Sequence, residues 1–528
     1  MPRQLRGWII LIALVAIGLG LLTGPVVRRL ASPEQRAQWA SAAGKHADAA
    51  AIYWDELQRG HVTVPIVVAF LEEHHVAKVI AVHADFAAPP GAGKAPKERP
   101  PQTIPQAAVD AFFTRPDLPR EVQLVAQLQR GEPKPEVIAE LHEAASKDPP
   151  MPWANHVLAS EAHAHGRLLD AAVYYEREAV AFGRRDDLDT ALRLRLSAGD
   201  RDGVIQRLDD PRTGSLAPAP LHFELAMERR MYGRALRWLL PFAYPKPKLG
   251  PLMLALVAAA AWGAFCLRLG QVRLEPARRV PLYAAAFALG ALSIAPTMFL
   301  IVWQEQVLHL KPDGTPLRDA IFYVFGVGFR EELSKVVCFL PLLPLLRRGK
   351  PIEVVTCAAL VGLGFAAVEN LQYFARDDLG SALGRFLTAN FLHMSMTAIA
   401  ATAAARIGKS EEGFHDFTVA FLTVVLLHGV YDFFIASPIV GDMSFLAMVV
   451  FVFLARDFVL AMHDARLRAG RSKPLLPVFA VGTACVTGAA FVYGSALVGP
   501  GAAAEMMFLG LLGVAVLAIV FVKQLRAL

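Results

Sequence analysis

The chain has 528 residues, of which 55% are hydrophobic and only 19% are charged, and its mean hydropathy is +0.40. This balance is too apolar for an ordinary soluble globule and is typical of a helical protein with many membrane spans. The net charge of +6 is small, and the basic residues lie near the ends of apolar segments rather than on one face. We therefore expect no nucleic-acid partner.

The N-terminus predicts a membrane anchor over residues 1–29. An apolar run of about 20 residues, Trp8 to Val27, lies between Arg6 and Arg28 and is long enough to cross a bilayer. A cleavable signal peptide is the alternative, but the run is long for one and no clear A-x-A site precedes Arg28. We favour an uncleaved signal anchor.

Residues 30–249 are polar, alanine-rich and helical in pattern, and they predict a separate domain. Two glycines are followed by a small, an aromatic and an apolar residue at the same offsets, which resembles the second half of a tetratricopeptide hairpin. The period of roughly 34 residues is not sustained, so a plain helical domain is the alternative. Helical hairpins commonly bind peptides, so this domain is a candidate site for a peptide or protein partner. A Pro-rich linker is expected at 88–106. The matching residues are Gly44, Ala49, Tyr53 and Leu57, and Gly166, Ala171, Tyr175 and Ala179.

From residue 250 onward the chain consists almost entirely of membrane-length apolar segments. With the N-terminal anchor they predict an all-α polytopic membrane protein of about ten spans. We assign 250–470 to a core domain and 471–528 to additional C-terminal transmembrane helices. The predicted spans lie near 250–268, 280–303, 320–346, 353–375, 386–405, 416–437, 443–463, 475–497 and 504–522.

Basic residues alternate between the predicted loops and indicate a topology. The short loops at 437–442 and 500–505 contain no Lys or Arg. The loops predicted to lie on the opposite side of the membrane contain several. The alternation places both termini in the cytoplasm and residues 30–249 outside it. The basic stretch YPKPKLG before residue 250 does not fit this pattern. The residues predicted to be cytoplasmic are Arg3, Arg6, Arg268, Arg273, Arg278, Arg279, the stretch 347–350, Arg406, Lys409, Arg466, Arg468, Arg471, Lys473, Lys523 and Arg526.

Ionisable residues recur inside four consecutive predicted spans. The segment GFREELSKVV, residues 328–337, places several charges in the middle of one span, where each costs about 2.5–3.5 kcal/mol on insertion scales. Glu369, His393 and His428 lie at similar depths in the next three spans, by a rise of about 1.5 Å per residue. Because helices pack side by side, we expect these groups to share one cavity.

Helical spacing adds detail to this cavity. Glu331 and Lys335 are four residues apart and can pair, as can His428 and Asp432, while Glu332 points about 100° away from Glu331. A carboxylate one turn from a histidine can fix its orientation.

This set of histidines and carboxylates suits two mechanisms of amide hydrolysis. A glutamate can activate water as a general base while a histidine polarises the carbonyl. Alternatively, histidine and carboxylate ligands hold a metal-bound water, with zinc or another divalent metal as the cofactor. The candidate ligands are His393, His428 and Glu369.

Four short motifs in this region resemble the motif set of the PrsW family, intramembrane proteases related to the CAAX prenyl endopeptidases. They are EELSK at 331–335, ENLQY at 369–373, His393 eight residues after Arg385, and HGVYD at 428–432. The resemblance covers roughly residues 250–460. It implies an endopeptidase of the bacterial inner membrane that cleaves membrane-anchored proteins, such as anti-sigma factors, at the extracytoplasmic side. The catalytic set it implies is Glu331, Glu332, Glu369, His393 and His428, supported by Lys335, Asn370 and Asp432.

Other interpretations of the buried charges are also compatible with the sequence. The same Glu/His chain could serve a transporter or proton relay, although no paired halves are found after residue 250. The protein could also be a non-catalytic membrane sensor or scaffold. The charges around Glu331 could form a structural ion-pair network that includes Arg330 and Lys335. We expect Arg385 to extend toward the membrane surface.

Overall fold

The computed structural model describes residues 3–42, 44–86, 103–130, 134–270, 279–346, 350–374, 384–443, 445–469 and 474–527. All regular elements within these ranges are helices, apart from one isolated bridge between Ile407 and Ser410, which confirms the all-α prediction. Most of the predicted linker, 88–102, lies outside the described residues. So do several loop residues used to predict topology: Arg273, Arg278, 347–349, Arg471 and Lys473.

The chain divides into two compact units. The first, called the hairpin unit, comprises residues 26–225. The second, called the membrane unit, comprises residues 1–25 and 226–528.

The hairpin unit is built from short helices joined by tight turns. Gly44 (φ +71°) and Gly166 (φ +73°) adopt the left-handed conformation that glycine tolerates best, and each reverses the chain between two packed helices. The helices are α2 (Pro33–Ala42), α3 (His46–Gln58), α4 (Val64–Phe86), α5 (Gln106–Phe113), α6 (Arg120–Gln129), α7 (Pro135–Ser146), α8 (Ala154–Ala164), α9 (Leu168–Phe182), α10 (Arg185–Ser197), α11 (Arg201–Asp209), α12 (Pro211–Gly214) and α13 (Ala219–Glu228).

The residues that carried the predicted repeat are buried where their helices meet. Each set begins at a left-handed glycine turn, and its small, aromatic and apolar members face the interior of the unit. The hairpin geometry explains the shared offsets. The assignment to the tetratricopeptide class stays a prediction. The buried residues are Ala49, Tyr53 and Leu57 in α3, and Ala171, Tyr175 and Ala179 in α9.

The membrane unit is organised around one buried helix, α21, which packs against α15, α16, α19 and α22. The helices are α1 (Arg3–Leu30), α14 (Tyr232–Ala243), α15 (Leu249–Leu269), α16 (Val280–Leu292), α17 (Ile294–Val307), α18 (Pro316–Ile321), a π-helix (Phe322–Gly328), α19 (Phe329–Phe339), a 3₁₀-helix (Leu340–Leu342), α20 (Leu343–Leu346), α21 (Pro351–Phe374), α22 (Ala389–Ala404), α23 (Gly413–Ala436), a 3₁₀-helix (Pro438–Met443), α24 (Phe445–Ala469), α25 (Leu476–Val498) and α26 (Pro500–Ala527).

Six helices of the described residues are long and apolar enough to cross a bilayer, so the protein is a multi-pass membrane protein. A bent pair in α26, with an angle of 55°, brings the count to seven if it is one span. The six are Leu5–Val27, Leu249–Leu269, Val280–Val307, Pro351–Phe374, Gly413–Ala436 and Leu476–Val498.

The prediction of about ten spans is therefore not confirmed, and the difference has local causes. The segment 320–346 is broken into short pieces, since Pro341 and Pro344 cannot continue a regular helix and a π-helix precedes its charged turn. The segment 386–405 contributes a regular α-helix of only 16 residues. In α24 the apolar stretch Phe445–Arg456 is shorter than a membrane span.

A partly buried network of charged side chains surrounds His156 in the hairpin unit. Its Nδ1 lies 2.8 Å from Asp187 Oδ1, and its Nε2 lies 3.8 Å from Glu72 Oε1. Arg184 Nε lies 2.6 Å from the second oxygen of Asp187. Burial disfavours the protonated imidazole, but the hydrogen bond to Asp187 and the nearby carboxylate of Glu72 outweigh it and raise the pKa of His156 to about 9. The network therefore favours a charged histidine.

We expect the protonated His156 to stabilise the fold at neutral pH. Its folded-state pKa lies above the ordinary value of 6.5, so its contribution is fully present below that pH and disappears as pH rises through about 9. A His156→Gln variant of the full chain should unfold at a lower temperature than wild type at pH 6, and the gap should close by about pH 10. Thermal unfolding in detergent would measure this gap. A gap independent of pH would contradict the prediction.

Candidate active site

Two glycines bring the π-helix and α23 into direct backbone contact. A Cβ atom on Gly429 would lie 2.3 Å from the Cα of Val324, and one on Gly328 would lie 2.5 Å from the carbonyl oxygen of Val425. Neither space admits a side chain. Because Gly429 follows His428 and Gly328 precedes Glu331 by one helical turn, this contact places the two glutamates of α19 beside His428.

A second close approach positions His393 on α22. A Cβ atom on Gly362 of α21 would lie 2.2 Å from the carbonyl oxygen of His393. The backbones of α21 and α22 therefore touch at this level. Glu369 lies seven residues after Gly362, which is close to two helical turns, so it emerges on the same side toward His393.

Glu332 holds His428 in one orientation. Its Oε1 lies 2.7 Å from His428 Nδ1 and 2.7 Å from Lys335 Nζ, and all three side chains are buried. An ionised carboxylate only accepts hydrogen bonds, so Nδ1 of His428 carries the proton. In the neutral imidazole the lone pair of His428 is then on Nε2, at the opposite side of the ring.

His393 is held by two partners of opposite character. Its Nδ1 lies 2.9 Å from Lys335 Nζ, and its Nε2 lies 2.9 Å from Glu369 Oε2. Since an ammonium only donates, Nδ1 accepts from Lys335 and the Nε2 hydrogen is donated to Glu369. The two imidazole rings meet edge to face, with centroids 5.3 Å apart. Each histidine thus has its own carboxylate partner.

Glu331 faces the histidines with a carboxylate oxygen that has no hydrogen-bond partner. This atom, Oε2, is buried and lies 3.6 Å from both His428 Nε2 and Lys335 Nζ. Asp432 Oδ2 lies 3.4 Å from the same histidine nitrogen. A buried acceptor without a donor is costly, so the arrangement favours a cation or a polar ligand at this point.

The same point brings together the donor atoms of a candidate metal site. Among the residues described, Glu331, His393 and His428 form one group whose ligand atoms all lie within 4.8 Å of one another. Two ligands on one zinc ion, at about 2.0–2.1 Å each, are separated by roughly 3.3–3.5 Å when the geometry is tetrahedral. The 3.6 Å between Glu331 Oε2 and His428 Nε2 is close to that separation. These donor types suit a divalent metal, which His393 would bind by exchanging its hydrogen bond with Lys335 or Glu369, and nothing in the set selects one metal.

The carboxylate in this group differs from the predicted one. The sequence offered Glu369 as the third ligand, whereas the group of ligand atoms that lie within 4.8 Å of one another contains Glu331. The ligand set stays a prediction. Glu369 instead pairs with Arg385, whose Nη2 lies 2.9 Å from its Oε2, and accepts from His393. Its oxygen is thereby occupied by two donors.

Arg385 is the site residue that sequence reasoning missed. It was expected to extend toward the membrane surface, but its side chain is largely buried and binds the motif around Glu369. Its Nε donates to Asn370 Oδ1 (2.9 Å), and its guanidinium lies 3.6 Å from the centroid of the Tyr373 ring. The signal was its distance of eight residues from His393, about two helical turns.

The remaining predicted residues also lie at or beside this cluster. Asn370 is buried and donates to Asn390 Oδ1 (3.2 Å), so it links α21 to α22. Arg330, which a purely structural ion-pair network would have used, donates instead to Gln304 Oε1 (3.3 Å). The structure therefore brings all five predicted catalytic residues and their three supporting residues into one region of the membrane unit.

Comparison with known proteins gives this region a family. Residues 278–455, about a third of the chain, match the family model described as PrsW family intramembrane metalloprotease. No curated protein and no solved structure matches the chain. The match contains every motif of the site, and it favours the protease over the transporter and scaffold alternatives. This match supports a membrane-embedded protease, a hydrolase of peptide bonds, whose PrsW-like region lies in the membrane unit.

Proposed function

We propose that this protein cleaves membrane-anchored proteins by a water molecule activated at Glu331, His393 and His428. The observation that carries the proposal is the buried Oε2 of Glu331, which accepts no hydrogen bond and lies 3.6 Å from both His428 Nε2 and Lys335 Nζ. A divalent metal held by these three residues would supply a Lewis acid that makes a bound water nucleophilic at neutral pH.

The neighbouring residues have positioning roles in this proposal. Glu332 fixes the ring of His428 so that its Nε2 faces the centre, whereas Lys335 and Glu369 together hold the ring of His393. The carboxylates of Glu331 and Asp432 are placed to take a proton from the water, because both lie within 3.6 Å of His428 Nε2. Lys335 balances the negative charge of the two adjacent glutamates.

Removing the carboxylate of Glu331 should abolish cleavage. We expect Glu331→Gln to lose at least about 100-fold in rate, since it removes the group that acts on the water. Glu332→Gln should lose about 10–100-fold, because it only loosens a histidine. Co-expression with tagged single-span membrane proteins, followed by blotting, measures the fragments.

The control for both variants is Glu305→Gln. Glu305 is a carboxylate of the same unit that pairs with Lys311 away from the histidines, so its variant should cleave at the wild-type rate. Undiminished cleavage by Glu331→Gln would overturn its assignment.

Metal content tests the choice between the two chemistries. We expect purified wild-type protein to hold one divalent metal per chain by mass spectrometry, and His428→Ala and Glu331→Ala to hold about tenfold less. The Glu305→Gln variant should retain the wild-type content. Chelation should stop cleavage, and added metal should restore it. An active enzyme without metal would instead favour a glutamate acting as a general base.

We further propose the substrate class and the topology. The substrates are single-span proteins of the anti-sigma-factor type in a bacterial inner membrane, cut on the extracytoplasmic side. Both termini are cytoplasmic and residues 30–249 are extracytoplasmic. Support comes from the alternation of basic loops and from the resemblance of the four motifs.

A groove in the hairpin unit is our candidate for contact with the substrate. It has a volume of about 770 Å³ and is lined by α7, α9 and α11, with Lys147, Arg177 and Glu176 among its charged residues. Mixed charge and an open shape suit an extended peptide. Val180 lines the groove and its side chain is exposed.

Filling the groove should weaken recognition without changing the chemistry. We expect Val180→Trp to raise KM by about 10-fold for substrates that carry an extracytoplasmic segment, because a bulky ring would occupy the peptide path. Substrates trimmed of that segment should be cleaved at the wild-type rate, which is the internal control. Equal effects on both substrates would exclude a recruiting role for the groove.

A further inference from the structure

We propose that helix α14 lies along the membrane surface and binds the headgroups of anionic lipids. The helix, Tyr232–Ala243, precedes the stretch YPKPKLG, whose basic residues did not fit the predicted topology. The inference concerns a surface outside the catalytic cluster and does not depend on the proposed reaction.

One side of α14 is fixed to the membrane unit. Ala235 and Ala243 are buried, and Ala243 packs with Ile294, Ala295 and Phe365. The carbonyl oxygen of Ala243 accepts a hydrogen bond from Gln372 Nε2 (3.4 Å). Its attachment therefore reaches the end of α21 that carries Glu369.

A second side of α14 is apolar and uncovered. Leu236 is 58% exposed and Leu240 is 55% exposed, and the two lie one helical turn apart beside the buried stripe. Met231 and Tyr232, at the start of the helix, are also exposed. The apolar surface of this helix is thus wider than the protein covers, as in helices that lie at a membrane interface.

The third side and the following turn are basic. Arg237, Lys246 and Lys248 are exposed, and no acidic residue occurs between Arg229 and Gly270. Such a stretch is complementary to the negative surface of a bilayer that contains anionic lipids. Basic side chains that flank an apolar surface can extend to lipid headgroups while the apolar side chains enter the interface.

The position of α14 in the chain also points to the membrane surface. Only residues 244–248 separate it from the span Leu249–Leu269. Tyr244 donates a hydrogen bond to the carbonyl oxygen of Ala291 (2.8 Å), near the end of α16. Because α14 is joined so closely to the first residue of a span and is tied to its neighbours, its exposed leucines are held beside the lipid that surrounds the spans.

Depth-dependent fluorescence quenching of the full chain in nanodiscs tests the proposal. A bimane label would be placed at Leu236→Cys or, as the matched control, at Pro241→Cys, in a chain whose four natural cysteines are replaced by alanine. The two positions are both exposed and lie about 140° apart around the helix. With nitroxide lipids in discs containing phosphatidylglycerol, quenching at position 236 should be at least twofold stronger than at 241. Equal quenching would overturn the proposal.

The lipid charge is tested in the same discs. Replacing phosphatidylglycerol with phosphatidylcholine should reduce quenching at position 236 by about half or more, and so should the combined change Arg237→Glu, Lys246→Glu and Lys248→Glu. The matched variant Arg237→Lys keeps the charge and should be quenched like wild type, and circular dichroism should show that each variant keeps its helices. Quenching independent of lipid charge would overturn the recognition of anionic headgroups.

Discussion

The ammonium group of Lys335 is the contact on which the site depends. It is fully buried and lies 2.7 Å from Glu332, 2.9 Å from His393 and 4.2 Å from the centroid of the Phe365 ring. It therefore joins α19, α21 and α22 at one point. Carboxylates at this depth require a positive partner, and removing one member of a buried ion pair costs about 3–5 kcal/mol. The charged side chains, each of which is costly to place alone in a membrane, stabilise one another in this cluster.

These polar contacts form only because the backbones of the helices touch. Interhelical hydrogen bonds in membranes contribute about 1–2 kcal/mol at most in model peptides, which is too little to draw separated helices together. Gly362 and Gly429 allow approaches that any side chain would prevent. Van der Waals packing thus sets the distances, and the charged groups then occupy positions that the packing has fixed. Small residues near the motifs are as much a part of the site as the glutamates.

The sequence predicted which residues would lie together but not which side chains each glutamate would contact. Like depths on consecutive spans were enough to place Glu331, His393 and His428 together, because depth follows from the helical rise alone. The different contacts of Glu331 and Glu369 depend on Arg385. The side chain of an arginine near the end of a span can extend to the membrane surface or pair with an acidic group inside. Spacing along the chain cannot choose between them.

Span counting failed for a related reason. A hydropathy pattern measures apolar length, but the segment that carries Glu331 is shortened by prolines and by a π-helix, which places the charged turn where α23 can reach it. The irregular helix that prevents this segment from counting as a span also positions the charged residues of the site.

The basic stretch before residue 250 shows a limit of the positive-inside rule as well. That rule counts Lys and Arg in loops as topological signals, whereas Lys246 and Lys248 follow a helix whose leucines face outward from the protein. A basic residue beside an amphipathic helix has a second use, since lipid headgroups are available on both membrane faces. Because that helix is hydrogen-bonded to Gln372, three residues from Glu369, lipid binding at α14 would fix the distance from the bilayer surface to the catalytic cluster. In such an arrangement the depth at which a substrate is cut depends on the membrane as well as on the protein.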